Sequence, residues 1–86
     1  MNNDQRLIAI KKKLTDALQP SHLEVIDDSA HHRGHEGSRS GAGHFSVIIA
    51  SDAFKDQSEV KCHQMVYAAL GDMMKRDIHA LSILIR

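Results

Sequence analysis

Residues 29–45 read SAHHRGHEGSRSGAGHF, and this stretch limits the fold more than any other part of the chain. It holds four of the seven histidines and four of the five glycines, with no aliphatic side chain larger than alanine. Nothing in it can supply a buried stripe, yet apolar periodic segments lie on both sides. It reads as a long loop carried on a compact scaffold. Loops longer than about 12–15 residues in a small domain are usually functional or disordered. Imidazoles crowd its front, at His31, His32 and His35, and Gly/Ser slack follows them.

The 86 residues form a single domain, 1–86, since a core divided in two would support neither half. A chain of this size buries only about 60–65% of its unfolded surface. Aromatic residues are limited to Phe45, Phe54 and Tyr67, so the core must come from Leu, Ile, Val and Met. Leu7, Ile10, Leu14 and Leu18 recur at three- and four-residue steps, which predicts an amphipathic helix over 2–18. Asn2 and Gln5 are spaced as a capping box, and Pro20 ends the helix. The Lys11-Lys12-Lys13 run reads as its solvated face.

Alternation predicts a strand over 22–27, with Leu23 and Val25 on one side and Ile26 turned toward a second packed layer. A stronger strand spans 44–50, with Phe45, Val47 and Ile49 on one face. Residues 51–54 suggest a tight turn or a single helical turn. Asp56 and Glu59 mark the start of a second helix running to Lys75, with Cys62, Val66, Ala69, Leu70 and Met73 inside. Leu81, Ile83 and Ile85 alternate in a final strand. A strand, a helix and a strand in that order predict a parallel pair. The fold class is therefore α+β, ordered α-β-β-α-β, with a three-stranded mixed sheet and the helices packed on one side.

Acids and bases balance at neutral pH, which argues against a partner recognised by bulk charge. One cysteine, Cys62, excludes an internal disulfide and a structural Cys₄ or Cys₂His₂ zinc site. The first residues lack an apolar run of signal-peptide length, and no later run approaches a membrane span. A cytoplasmic, reducing setting is expected, with no membrane partner.

The loop histidines invite a metal, because imidazole with its ordinary pKa of about 6.5 is mostly neutral at pH 7. Adjacent side chains such as His31 and His32 rarely bind one ion together, however, and loop histidines are often merely solvated. His79, where the second helix gives way to the last strand, reads on its own as a capping or satisfied histidine at a helix end. Cys62 and His63 suggest a nucleophilic dyad, but neighbours on a helix point about 100° apart. No orienting third group or oxyanion site accompanies them. The glycines at 34, 37, 41 and 43 match neither P-loop nor Rossmann spacing. These features point away from an enzyme.

Several short segments now combine. Leu23-Glu24-Val25 precedes Asp28-Ser29-Ala30-His31-His32-Arg33-Gly34-His35. His44-Phe45-Ser46-Val47 leads to Ser51-Asp52-Ala53-Phe54. Cys62-His63-Gln64-Met65-Val66-Tyr67 and Ile78-His79-Ala80-Leu81-Ser82-Ile83 complete the set. Over nearly its whole length the chain resembles the BolA-like family. It departs from the family at Asp56, where glycine is usual, and at Cys62, where arginine is usual.

The resemblance implies a type II KH-like domain. It implies pairing with a monothiol glutaredoxin around a shared [2Fe-2S] cluster, with glutathione contributing through that cluster. His79, from the His-Ala-Leu motif, would be one ligand. His32 or His35 would be the loop ligand, with His31 third. The function implied is iron–sulfur trafficking or iron sensing, by a chain that is a monomer or weak homodimer when alone. The alternative is a KH-like DNA-binding transcriptional regulator linked to stress response and cell morphology, with Lys61, Lys75 and Arg76 as its basic contacts.

Overall fold

The computed structural model describes residues 2–28 and 43–86. Helix α1, Asn3–Leu18, opens on the expected capping box. The Asn2 side-chain oxygen accepts the Gln5 N–H at 2.8 Å, and Gln5 Oε1 accepts the Asn2 N–H at 2.9 Å. Both donors would otherwise face water alone. The helix stops at Gln19, which is left-handed (φ 45°) and directly precedes Pro20. Ile10, Leu14 and Leu18 face inward. The three lysines are exposed, and Lys12 reaches Asp16 at 3.0 Å one turn on.

Strand β1, His22–Asp27, pairs antiparallel with β2, Gly43–Ala50, and β2 pairs parallel with β3, Ile78–Ile85. The order β1-β2-β3 gives the mixed sheet that the sequence predicts. Along β2, Gly43, Phe45, Val47 and Ile49 are buried, alternating with half-buried His44, Ser46, Ile48 and Ala50. The buried set joins α1 and a second long helix, α2, Glu59–Leu70, in one core. Ile26 departs from expectation. It is 45% exposed, on the face opposite that core, so no second layer covers it among the described residues.

A 3-10 turn, Asp52–Phe54, follows β2 as expected, but the helix after it differs in two ways. Its cap is Ser58, whose Oγ accepts the Lys61 N–H at 3.1 Å, and not Asp56. Asp56 lies instead in the preceding turn at φ 63°. The helix predicted to run to Lys75 is also cut at Gly71 (φ 55°), after which a one-turn helix α3, Met73–Arg76, begins. Cys62, Val66, Leu70 and Met73 are all buried, so the apolar stripe continues across the break. Periodicity could not register an interruption that keeps the stripe in phase.

Candidate functional site

Asp28 and Gly43, the described residues on either side of the histidine-rich stretch, are both fixed at one end of the sheet. On the incoming side, the Asp28 N–H donates to the His44 carbonyl at 2.8 Å, and Ser46 Oγ donates to the Asp28 carboxylate. On the outgoing side, the Gly43 N–H donates to the Asp77 carbonyl at 3.0 Å. Asp77 is itself held, with its carboxylate 3.7 Å from Arg6 Nε of α1 and both side chains mostly buried. Gly43 is required by close approach. A Cβ there would sit 2.8 Å from Phe45 Cζ and 3.0 Å from Asn3 Oδ1.

Asp77 also introduces β3. Gly43 lies opposite Ile78, but His44 lies opposite Ala80, so β3 carries one extra residue at this point, His79. Such a bulge redirects a side chain and ends regular pairing. Ile78 is buried, His79 and Ala80 are exposed, and the inward pattern resumes at Leu81. The His79 ring packs against that of His44, with centroids 4.9 Å apart and planes tilted by 51°. A recess of about 340 Å³ here is lined by Asp28, His44, Phe45, His79, Ala80 and Ser82.

His79 is thus not a helix cap: Asp77 occupies the C-cap of α3. His31, His32 and His35 lie outside the described residues. Cys62 is 3% exposed with its Sγ 4.0 Å from the Phe54 carbonyl, whereas His63 Nε2 lies 3.9 Å from Glu59 Oε1. They form no dyad. Lys61 is exposed near the start of α2, and Lys75 and Arg76 are exposed at the end of α3, so they occupy opposite ends of that helical unit. Among the described residues no three His, Cys, Asp or Glu side chains converge as a metal site. A site using His79 must therefore take donors from elsewhere.

Sequence reasoning did not single out His44 or the bulge. The signal was present in the final strand. Its inward residues Ile78, Leu81, Ile83 and Ile85 are spaced three, two and two apart, and the first step leaves one residue too many for a regular strand.

A profile of the BolA-like protein family matches residues 14–86. The chain is 45% identical over 83 residues to SufE-like protein 1, chloroplastic/mitochondrial, of Arabidopsis thaliana, covering 91% of this chain and 22% of that protein. It therefore spans under a quarter of that relative's length. It is 38% identical over 74 residues to the DNA-binding transcriptional regulator BolA of Escherichia coli, covering 86% of this chain and 68% of that one. Among solved structures, the BolA domain of SufE1 from Arabidopsis thaliana aligns with a TM-score of 0.81 at 43% identity, covering 94% of this chain and 90% of that one.

Proposed function

Because this chain belongs to the BolA-like family, we propose that it is a non-enzymatic adapter for iron–sulfur trafficking or iron sensing. In this reading it shares a [2Fe-2S] cluster with a monothiol glutaredoxin and glutathione. The observation that carries the proposal is His79 on an exposed bulge, beside both anchored ends of the histidine-rich loop. His79 supplies one imidazole. His32 or His35, by motif position, supplies the second, with His31 as the remaining candidate.

The donor set fits a shared cluster better than a private one. Such a cluster takes four ligands, usually thiolates, and the one cysteine here is buried in the core. Two thiolates must then come from glutaredoxin and glutathione. Imidazole in place of thiolate removes negative charge and raises the reduction potential. Imidazole ligation also competes with protonation, so such a cargo is released more easily than an all-thiolate one. The chain's own work is positional: Arg6, Asp77 and Gly43 fix the start of β3, and the bulge turns His79 outward. Mixing the chain with a monothiol glutaredoxin, glutathione, iron and sulfide tests the proposal by size exclusion with iron analysis. An iron-bearing heterodimer is expected. Iron confined to glutaredoxin would refute it.

A second reading is a KH-like DNA-binding regulator, favoured by the name of the Escherichia coli relative and by exposed Lys61, Lys75 and Arg76. It predicts sequence-preferring DNA binding whose affinity falls steeply with salt. Weak binding that is blind to sequence would count against it.

A further inference from the structure

We infer that the outer edge of β3 pairs with the same edge of a second copy of this chain, joining two three-stranded sheets into one of six strands. Among the described residues β3 has a single strand neighbour, β2. The Arg86 N–H donates to the Ile49 carbonyl of β2 at 2.9 Å. Successive residues of a strand turn their backbone groups to opposite sides, so those of Ser82 and Leu84 face β2 as well. The N–H and C=O groups of Leu81, Ile83 and Ile85 point the other way, along the outer edge of the sheet.

Sheets usually blunt such an edge with charges, proline or a bulge. The opposite edge strand, β1, carries Glu24 and Asp27. From Ile78 to Ile85, β3 carries no Asp, Glu, Lys, Arg or Pro. Its bulge at His79 lies before the edge residues in question. The side chains are as incompletely covered as the backbone. Leu81, Ile83 and Ile85 face the core but are only half-buried, whereas their β2 partners Phe45, Val47 and Ile49 are at most 1% exposed. Leu84, on the other face, is 58% exposed.

The strand complements itself. An antiparallel match with its two-fold axis at Ile83 sets Leu81 of one copy against Ile85 of the other. All three edge residues of each copy then exchange hydrogen bonds in one register. The faces stay in phase: Leu81, Ile83 and Ile85 extend the core-side apolar stripe across the junction, and Ser82 lies opposite Leu84 of the second copy. Each Arg86 falls at its own end of the junction, against Ala80, so no like charges meet. The chain's formal net charge of zero leaves no bulk repulsion between copies. The interface is small, so association should depend on concentration. The inference concerns the chain alone and stands whether or not a cluster is shared with glutaredoxin.

The test is sedimentation velocity of the free chain from about 10 µM to about 1 mM, the range in which a small interface associates. Amide shifts and hydrogen exchange are read by ¹⁵N NMR over the same range. The sedimentation coefficient should rise toward that of a dimer. The amides of Leu81, Ile83 and Ile85 should shift and gain protection with it, while those of Ser82 and Leu84, already bonded to β2, should be protected throughout. Leu84→Lys, which sets two ammonium groups diagonally about the axis, should weaken association at least about tenfold, and Ile26→Lys, on the far strand, should leave it within about twofold. Should Leu84→Lys fail to fold, the edge amides of the unsubstituted chain still decide. Dimerisation that is lost in Ile26→Lys and leaves the edge amides unmoved would mean face-to-face packing of the sheets and would overturn the inference. A chain that stays monomeric up to about 1 mM would overturn it as well.

Discussion

Gly43 is the position at which a single methyl group would do most damage. It lies between the buried Phe45 ring and Asn3, and its N–H bonds Asp77. Phe45 is 1% exposed and cannot swing aside, so Gly43→Ala should cost about 1–3 kcal/mol as overpacking. At about 4–8 °C per kcal/mol for a domain of this size, calorimetry should show a clear fall in Tm. A Tm unchanged within 1–2 °C on that same scale would mean the chain adjusts freely here. Asp56 presents the opposite case. It holds φ 63°, a left-handed conformation that L-residues other than Asn and Asp rarely adopt. The family's usual glycine is explained by this angle, and Asp56→Gly should stabilise by up to about 1 kcal/mol, read by urea unfolding.

Among the elements, α1 was legible nearly to the residue, because its cap, stripe and terminating proline are all local signals. Asn2→Ala removes one half of its capping box and should cost about 0.5–2 kcal/mol in urea unfolding. The first two strands were equally plain, since β2 alternates without a fault, but β3 begins at Ile78, three residues before the alternation read from Leu81. Two features were not legible. Helix α2 ends at Gly71 because of a backbone angle there, while Met73 keeps the inward face that an unbroken helix would have given it. The bulge at His79 arises from the register of β3 against β2, a long-range fact that only the spacing from Ile78 to Leu81 hints at. The same register explains why His44, outward-facing in β2, meets His79 at all.

On the scale of the whole molecule, a mixed sheet is covered on one face by α1 and α2, and its loop end gathers His44, His79 and Asp28 around a recess. The motif order that pointed to the BolA-like family and the α+β architecture agree with that arrangement. The central claim is that His79 ligates a cluster shared with a partner. Visible circular dichroism of the chain mixed with a monothiol glutaredoxin, glutathione, iron and sulfide tests it most directly, with His79→Ala, His32→Ala and His35→Ala measured alongside. A spectrum distinct from that of the glutaredoxin homodimer, lost in His79→Ala and in one of the two loop variants, is the predicted result. A spectrum identical to glutaredoxin alone, or one indifferent to His79→Ala, would contradict the account.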